Sequence, residues 1–282
     1  MSRISYLNGK FLPHESCMVH IDDRSCQFGD GVYEVILFKN NKFIDFEGHF
    51  QRLVRSLGEV RIDFDISGED LKLVLLDIFK RNNLDGGSCY IQISRGVSPR
   101  IQCFPKEKVS PTFIITVSPA KSLTSQEFHE GISVVTHEDI RWSRCDIKSL
   151  NLLAASLLNQ KAKDLGFNDV VMIRDGFITE GSFSNIFIID QNGVLVTRPA
   201  DNYILCGITR NRIIALAQEM GLEIDERKFT LDELESAKEV FLTSSTLMIR
   251  PVTKINKVTI SNAIVGNVTQ KIFSKYQEFV AQ

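Results

Sequence analysis

The chain has 282 residues, of which 43% are apolar and 24% are charged. Its 33 basic and 35 acidic side chains leave a formal charge of −2, so we expect no surface that binds nucleic acid through its phosphates. No apolar stretch follows the start Met1-Ser2-Arg3, and no apolar run approaches the roughly 20 residues that span a bilayer. The six cysteines lack the spacing of a metal site. We therefore expect a cytoplasmic protein with reduced thiols and no bound metal.

The first third of the chain combines the signals of short strands with those of two helices. Asn8-Gly9 is typical of a two-residue type I′ turn, and Asn40-Asn41 separates a second pair of strands. One helix carries an apolar stripe at Phe50, Leu53, Val54 and Leu57. The expected elements are strands at 4–7, 10–12, 32–38, 43–46, 88–94 and 112–117 and helices at 50–57 and 71–79.

A polar stretch broken by Pro119 follows and indicates a linker. We therefore predict a small N-terminal α+β domain at 1–118, a linker at 119–125, and a larger C-terminal domain at 126–282. A capping box at Thr230-Leu231-Asp232-Glu233 opens a short helix in the second domain. The other elements expected there are strands at 132–136, 170–173, 177–179, 185–189, 194–197 and 240–242 and helices at 150–165, 209–220 and 268–279. The predicted fold class is α+β.

Lys148 is the first candidate for chemistry, because it is the single lysine between apolar neighbours at the start of a predicted helix. We expect Ser149 to cap that helix, which would place Lys148 just outside its N-terminus. A cation is unfavourable there, and Arg141 and Arg144 would add to the effect, so a lowered pKa and a usable amine are predicted. A solvated lysine is the alternative.

Three polar segments of the same half are further candidates. Glu180 ends a predicted strand and is followed by hydroxyl and amide side chains, Gly207-Ile208-Thr209-Arg210 leads into a helix, and Thr243-Ser244-Ser245-Thr246 follows a buried strand. The last two have the composition of phosphate cradles, although an ordinary helix cap or turn would explain each one alone. An amine, a carboxylate and two phosphate cradles are together the parts that a pyridoxal-phosphate enzyme needs.

Seven segments then resemble one family in both residues and order. The segments are Phe28-Gly29-Asp30-Gly31-Val32-Tyr33-Glu34, His49-Phe50-Gln51-Arg52-Leu53, Arg95-Gly96-Val97-Ser98-Pro99-Arg100, Asp139-Ile140-Arg141-Trp142, Asp146-Ile147-Lys148-Ser149-Leu150-Asn151, Thr179-Glu180-Gly181-Ser182 and Gly207-Ile208-Thr209-Arg210. From residue 6 to about 251 the chain resembles the D-amino-acid branch of the class IV, fold type IV pyridoxal-phosphate aminotransferases. The Lys148 and Glu180 segments are shared by the wider class, whereas Tyr33 and Ser98-Pro99-Arg100 point to the D-amino-acid branch.

The resemblance implies a two-domain fold type IV enzyme with pyridoxal 5′-phosphate as its cofactor. Lys148 would bond covalently to the cofactor and move the substrate proton, and Glu180 would pair with the pyridine nitrogen. Leu205 would pack on the cofactor ring. The phosphate would be bound by Arg52, the backbone of Ile208 and Thr209, and Ser244-Ser245. The position of Arg52 off the apolar stripe of its helix indicates, by itself, only a solvated arginine.

The resemblance also implies how the substrate is bound. Tyr33 and Arg100 would hold its carboxylate, with Arg100 supplied by the neighbouring subunit of a homodimer. Gln102 departs from the family pattern, because a histidine is expected there, and its neutral amide donates a hydrogen bond without adding charge. Phe183 replaces a small hydroxyl residue beside the cofactor. Cofactor binding is therefore better supported than substrate range.

The implied reaction is amino transfer between D-amino acids and 2-oxo acids, with D-alanine and 2-oxoglutarate giving pyruvate and D-glutamate. A class IV relative that acts on L-branched-chain amino acids or on aminodeoxychorismate is the closest alternative. A thiol hydrolase that uses Cys145 and His137 would lack an oxyanion-hole signature. A non-catalytic pyridoxal-phosphate-binding protein would have no need of Tyr33 and Arg100.

Overall fold

The computed structural model describes residues 3–119 and 123–282. These residues form two compact units, and each unit is built on a sheet of its own. The first unit contains 3–119 together with 147–151, and the second contains 123–146 together with 152–282. The mixture of sheets and helices in both units agrees with the predicted α+β class.

The first unit is an antiparallel sheet of six strands in the order β2-β1-β6-β5-β3-β4. Its strands are β1 (Ile4–Leu7), β2 (Lys10–Pro13), β3 (Gly31–Lys39), β4 (Lys42–Phe43), β5 (Gly87–Ser94) and β6 (Thr112–Pro119). Its helices are α1 (Arg24–Phe28), α2 (Phe46–Glu59) and α3 (Gly68–Arg81). The predicted Asn8-Gly9 turn is confirmed, because both residues have the positive φ that a type I′ turn requires.

Helix α2 buries a different face from the one that its apolar residues predict. Val54, a member of the predicted stripe, is 52% exposed. The buried side chains of α2 are Phe46, His49, Arg52, Leu53, Ser56 and Leu57. The polar residues His49 and Arg52 lie in this face because Glu34 on β3 binds both of them. A prediction based on the apolar residues alone therefore places the buried face of α2 too far round the helix and leaves out its buried polar residues.

Residues 147–151 complete the first sheet, although they follow it by a long stretch of chain. The N–H of Tyr33 donates to the carbonyl of Lys148 at 2.9 Å, and the N–H of Leu150 donates to the carbonyl of Gly31 at 3.0 Å. The edge of β3 is open there because β4 pairs only with Phe38 and Lys39. Ile147 is 6% exposed and belongs to the apolar core of this unit.

The helix predicted at 150–165 begins later, as α5 (Leu153–Asp164), and its N-cap Leu152 makes no capping bond through its side chain. The prediction that Ser149 caps it is therefore wrong, since Ser149 bridges to Val32 on β3. Lys148 consequently lies on a strand-like segment and not beside a helix N-terminus.

The second unit contains a sheet of nine strands in the order β12-β11-β10-β13-β14-β7-β8-β9, with β15 paired to β14. Its strands are β7 (Ile132–Glu138), β8 (Asp169–Arg174), β9 (Phe177–Gly181), β10 (Asn185–Ile189), β11 (Leu195–Thr197), β12 (Ile224–Glu226), β13 (Glu239–Ser244), β14 (Met248–Ile255) and β15 (Val258–Thr259). Its helices are α4 (Ser125–Glu130), α5, α6 (Ile208–Glu219), α7 (Leu231–Ser236) and α8 (Asn267–Ala281). The capping box predicted for α7 is present.

The predicted linker at 119–125 falls only partly on described residues. Pro119 ends β6, residues 120–122 lie outside the described part of the chain, and Ser125 begins α4. The predicted domain boundaries stay a prediction, although residues 147–151 pack with the first unit rather than with the sequence that surrounds them. Within the described residues, no helix is long and apolar enough to cross a membrane.

A substitution at Gly31 tests how closely residues 147–151 approach the first sheet. A Cβ at this position would lie 2.7 Å from the carbonyl oxygen of Ile93 and 2.8 Å from Cδ1 of Leu150. We expect Gly31→Ala to lower the free energy of unfolding by about 1–3 kcal/mol through overpacking, as measured by urea unfolding. Gly58→Ala is the matched control, because its Cβ would meet nothing within 4 Å and should stabilise α2 by up to about 1 kcal/mol. Equal effects of the two changes would contradict the tight packing.

Candidate active site

Lys148 and Tyr33 are direct neighbours across the pairing of residues 147–151 with β3. Since directly paired residues of antiparallel segments project to the same face, their side chains meet. The Lys148 Nζ lies 4.3 Å from the centroid of the Tyr33 ring. The Tyr33 ring also lies 5.6 Å from the Tyr90 ring, and the Tyr90 hydroxyl donates to Gln92. One face of this sheet thus presents a primary amine beside two phenols and an amide.

Glu34 follows Tyr33 and points to the opposite face, where it forms a buried ionic cluster with two residues of α2. The Arg52 Nε and Nη2 donate to the two Glu34 carboxylate oxygens at 2.7 and 2.8 Å. The Nδ1 of His49 lies 2.7 Å from Glu34 Oε2. Glu34 is fully buried, and His49 and Arg52 are nearly so. The two-pronged contact fixes the plane of the Arg52 guanidinium.

The pKa values of Glu34 and His49 are both lowered in this cluster, for different reasons. Burial opposes ionisation of Glu34, but the Arg52 charge and the Arg52 and His49 hydrogen bonds outweigh it and lower the pKa of Glu34 to about 2. Burial lowers the pKa of His49, and the cationic Arg52 and Lys148 contribute in the same direction against Glu34. The cluster therefore contains an ionised carboxylate and a permanent guanidinium at neutral pH.

Arg100 and Gln102 lie on the loop that joins β5 to β6, and both side chains are exposed. The Arg100 guanidinium carbon lies 5.4 Å from the centroid of the Phe28 ring. Within residues 3–119 and 123–282 no carboxylate lies at ion-pairing distance from Arg100. Its N–H groups therefore remain accessible to an external anion.

Glu180 is buried near the end of β9 in the second unit, where three donors surround its carboxylate. The Arg141 Nη1 donates to Oε1 at 2.5 Å, while the Asn185 Nδ2 and the Leu205 N–H donate to Oε2 at 3.0 and 3.1 Å. A carboxylate accepts about four hydrogen bonds, so roughly one acceptor position remains for a further donor.

Burial raises the pKa of Glu180, and the Arg141 guanidinium opposes that rise. Although burial also acts against the Arg141 charge, the neighbouring Glu180 and Asp139 carboxylates raise the pKa of Arg141. Asp139 holds the same guanidinium through its Nε and Nη2 atoms. Arg141 is thus a fixed cation beside the Glu180 carboxylate, and it favours the ionised form of that carboxylate against burial.

Asn185 connects Glu180 with the beginning of α6. Its side-chain amide also donates to the carbonyl of Leu205 at 2.8 Å, and its Oδ1 occupies the space that a Cβ of Gly207 would need. Only glycine therefore fits at 207 without displacing the amide. Gly207 is the N-cap of α6, and no side chain caps this helix. The N–H groups of its first turn have no partner within the helix and point out of its N-terminus.

The end of β13 lies beside the same asparagine, because Asn185 is paired with Thr243. The Thr243 Oγ1 is buried and has no hydrogen-bond partner among the described residues. Ser244 and Ser245 follow at the turn into β14, and Ser244 Oγ accepts from the N–H of Leu247. Hydroxyl groups and the open N-terminus of α6 thus have the composition of an anion site.

The structure distributes the predicted site residues over both units. Tyr33, Arg52, Arg100, Gln102 and Lys148 belong to the first unit, in which Tyr33 and Lys148 meet and Arg52 lies on the other face of β3. The second unit contains Glu180, Leu205, Ile208, Thr209, Ser244 and Ser245. Phe183, the second departure from the family pattern, is 48% exposed in the turn before β10.

Several polar partners in these clusters were not predicted from the sequence. Glu34, His49 and Asn185 stand in the quoted or neighbouring segments, yet their spacing alone does not indicate what they bind. From the sequence, the only role predicted for Arg141 is an effect on the Lys148 pKa, whereas the structure pairs it with Glu180. A buried cation becomes recognisable only once its carboxylate partner on another strand is known.

A thiol hydrolase based on Cys145 and His137 is not supported. Cys145 is buried, its Sγ donates to the carbonyl of Trp142, and burial raises its pKa to about 11. His137 instead contacts Lys161 through Nε2. A buried thiol with a raised pKa is a poor nucleophile.

Comparison with known proteins places the chain in a family. Residues 31–255 match the model of the family described as amino-transferase class IV. A D-alanine aminotransferase from Listeria monocytogenes is 39% identical over 277 residues, which are 98% of this chain and 96% of the relative. The chain belongs to the class IV aminotransferases, a family that uses pyridoxal phosphate.

Solved structures of the family share the fold. The branched-chain amino acid aminotransferase of Escherichia coli matches with a TM-score of 0.92 at 26% identity, over 99% of this chain and 94% of that one. The branched-chain aminotransferase of the thermophilic archaeon Thermoproteus uzoniensis, solved with norvaline, matches with a TM-score of 0.88 at 25% identity, over 99% of this chain and 95% of that one. The predicted fold type IV is therefore confirmed.

Glu34→Gln tests the buried cluster through the pH dependence of stability. We expect the free energy of unfolding at pH 7 to fall by about 3–5 kcal/mol, because a buried guanidinium loses its counter-charge. Folding lowers the pKa of Glu34 from 4.5 to about 2, so its carboxylate stabilises the fold above pH 4.5 and loses this effect as the pH falls towards 2. The difference between the two proteins should shrink over that interval in urea unfolding at a series of pH values.

Glu47→Gln is the control, because Glu47 lies on the same helix and its side chain is 68% exposed in its pair with Lys72. It should cost less than about 1 kcal/mol at any pH. A stability difference for Glu34→Gln that stays constant from pH 5 to 2 would show that the carboxylate is not ionised in the folded chain.

Proposed function

We propose that this class IV aminotransferase uses pyridoxal 5′-phosphate to transfer amino groups between D-amino acids and 2-oxo acids. D-alanine and 2-oxoglutarate would give pyruvate and D-glutamate. The observation that carries the proposal is the direct contact of the Lys148 amine with Tyr33, in a chain whose exposed Arg100 is free to bind a carboxylate. The 39% identity to a D-alanine aminotransferase supports the choice of substrate.

We infer that the second unit would hold the cofactor through its phosphate and through its ring nitrogen. The hydroxyl groups of Ser244 and Ser245 and the first-turn N–H groups of α6, at Ile208 and Thr209, would hold a phosphate dianion. The buried Thr243 Oγ1, which has no hydrogen-bond partner among the described residues, directly precedes Ser244 in the chain. Glu180 has an acceptor position left for a pyridine N–H. Bound pyridoxal phosphate supplies an electron sink for the pair of electrons released at the substrate Cα. Leu205 would lie against its ring.

Arg52 would add a cation to the phosphate site. Its guanidinium is already held by Glu34 through two hydrogen bonds, so the phosphate would meet a group of fixed orientation. The neighbouring Glu34 charge compensates the guanidinium before the phosphate binds. Arg52 would therefore contribute mainly directed hydrogen bonds, while the open N-terminus of α6 and the hydroxyl groups supply the remaining donors.

Lys148 would hold the cofactor covalently and then act as the base that takes the proton from the substrate Cα. A primary amine accepts a proton in its neutral form and donates it in its charged form, so it is a suitable proton carrier. The backbone pairing with β3 fixes where the Lys148 side chain begins, and the Tyr33 ring limits where its amine points. The same amine would then pass this proton to the reacting carbon of the cofactor.

The handedness of the substrate follows from which side of the site holds its carboxylate. Lys148 would reach only one face of the cofactor, so the Cα–H bond would have to point to that face in a productive complex. With that bond fixed, exchanging the carboxylate and side-chain pockets exchanges D for L. The choice of D therefore rests on Tyr33 and Arg100, whereas Lys148 and Glu180 carry no information about it. A guanidinium grips a carboxylate through two parallel hydrogen bonds.

A homodimer in which Arg100 serves the neighbouring active site is part of the proposal. Two observations support it. Arg100 and Gln102 are exposed on their loop, and no carboxylate in the described part of the chain pairs with Arg100. Gln102 would donate one neutral hydrogen bond to the substrate.

Transamination of L-branched-chain amino acids is the second candidate function, favoured by the TM-score of 0.92 to the Escherichia coli enzyme. This second candidate is the weaker of the two, because the chain is 39% identical to the D-alanine enzyme and only 26% identical to the branched-chain enzyme.

A chirally resolved assay tests the proposed function. We expect the purified protein to transfer the amino group of D-alanine to 2-oxoglutarate and to form D-glutamate, with L-leucine and L-valine as poorer donors. Lys148→Ala should abolish the reaction, since it removes the amine that moves the proton. Lys161→Ala, a change of an exposed lysine, should leave it intact. A clear preference for L-leucine over D-alanine would overturn the D-specific assignment and leave class IV chemistry standing.

Glu180→Gln tests the electrostatic role of the carboxylate. The change keeps the shape of the side chain and removes the charge that would hold the pyridine nitrogen protonated. We expect proton transfer in the half-reaction with D-alanine to slow by about 10²–10³-fold in stopped-flow absorbance, while cofactor affinity changes little. Glu138→Gln, at the exposed end of β7, serves as the control. An unchanged half-reaction rate in Glu180→Gln would exclude this role.

A further inference from the structure

We propose that Phe28, held in place by Arg24 and Asp30, is the positioning residue for Arg100. This inference rests on the proposed function, because it explains how the loop that carries the carboxylate-binding arginine keeps its orientation. All of the residues concerned belong to the first unit.

The loop that carries Arg100 is attached to a buried arginine. Arg24 is 2% exposed, and its Nη1 donates to the carbonyl of Ile101 at 2.7 Å, with the carbonyl of Cys103 at 3.5 Å. These two carbonyls flank Gln102. The backbone N–H of Arg24 also donates to the carbonyl of Gly96 at 2.9 Å, at the beginning of the loop. One side chain and its backbone thus fix the loop on both sides of Arg100.

Asp30 in turn fixes Arg24. Its Oδ2 accepts from the Nε of Arg24 at 2.7 Å and from the Nε of Arg95 at 2.8 Å. Arg95 also donates to the backbone carbonyls of Val60 and Arg61 after α2. Asp30 therefore links the loop to the body of the first unit through two buried guanidinium groups. Charge-assisted hydrogen bonds of this kind hold side chains in one geometry.

Phe28 connects this framework with Arg100 itself. The guanidinium carbons of Arg24 and Arg100 lie 4.4 and 5.4 Å from the centroid of its ring, both within cation–π distance. Phe28 is the last residue of α1, and Gly29 ends that helix in the left-handed conformation with φ 63°. A Cβ on Gly29 would lie 2.6 Å from Oδ1 of Asn151, so the backbone after the ring has little room to move.

An aromatic ring suits this task better than a carboxylate would. A carboxylate beside Arg100 would occupy the same N–H groups that a substrate carboxylate needs and would neutralise their charge. The face of Phe28 attracts the cation without accepting its in-plane N–H groups. Arg100 would therefore be oriented before the substrate arrives and remain fully able to bind it.

The test is a double-mutant cycle between Phe28→Leu and Arg100→Ala, assayed with the whole holoenzyme. Phe28→Leu keeps an apolar side chain and removes the ring face. We expect kcat/KM for D-alanine to fall about two- to fivefold, the worth of one exposed cation–π contact, mainly through KM. In the Arg100→Ala background Phe28→Leu should have no further effect, because the partner of the ring is gone.

A second substrate and a conservative variant separate positioning from a general loss of structure. D-alaninamide lacks the carboxylate, so its half-reaction rate should be the same in Phe28→Leu and the unmodified protein. Phe28→Tyr keeps the ring face and should restore KM for D-alanine. An additive effect of Phe28→Leu in the Arg100→Ala background, or an equal loss with D-alaninamide, would overturn the positioning role.

Failure of the proposed function has a different signature. An unmodified protein that prefers L-leucine to D-alanine refutes the D-specific assignment, and the cycle is then measured with L-leucine. A Phe28→Leu effect that again disappears in Arg100→Ala supports the positioning role for that substrate. An effect that persists there refutes it independently of handedness. If Phe28→Leu does not fold, Phe28→Tyr and Phe28→Trp are compared instead. A change of KM that is the same with and without Arg100 would then refute the positioning role.

Discussion

The backbone pairing between Tyr33 and Lys148 is the constraint on which the candidate active site depends. It places a single lysine against β3, a strand from which it is far removed in sequence, and it brings the amine to the Tyr33 ring. Ile147 fills the core on one side of the lysine, while Gly31 leaves the space for Leu150 on the other. The position of Lys148 is thus set by main-chain hydrogen bonds and packing, which restrict it more tightly than side-chain contacts alone would.

Buried arginines paired with carboxylates recur throughout both units. Glu34 holds Arg52, Asp30 holds Arg24, and Glu180 shares Arg141 with Asp139. Each buried guanidinium would be costly without its partner, and pairs of this kind contribute little net stability over an apolar core of the same shape. Their benefit lies in direction, because a two-pronged contact fixes a planar cation. The proposed site, which would bind a phosphate, a ring nitrogen and a carboxylate, needs groups of fixed orientation more than it needs additional stability.

Much of the fold was predictable from local patterns, whereas the polar contacts were not. The Asn8-Gly9 turn and the capping box of α7 were recognised because their residues interact within a few positions. The buried face of α2 was predicted wrongly, since the partner of Arg52 lies on β3. The start of α5 was misplaced for the same reason, because pairing with β3 extends the chain where local sequence favours a helix. The candidate site residues are predicted by resemblance to a family, whereas the hydrogen bonds that surround them follow only from the fold.

The crossing of residues 147–151 into the first sheet has a consequence for how the chain is made. During synthesis β1 to β6 leave the ribosome before residues 147–151 do, so at that stage the beginning of β3 has an unpaired edge and the core position of Ile147 is unfilled. Pairing over such a sequence distance is slow, because a long loop must close before any contact forms. The core of the first unit and the edge of β3 are therefore completed only when residues 147–151 have been added. Until Lys148 and its neighbours pair with it, the exposed edge of β3 invites association between nascent chains.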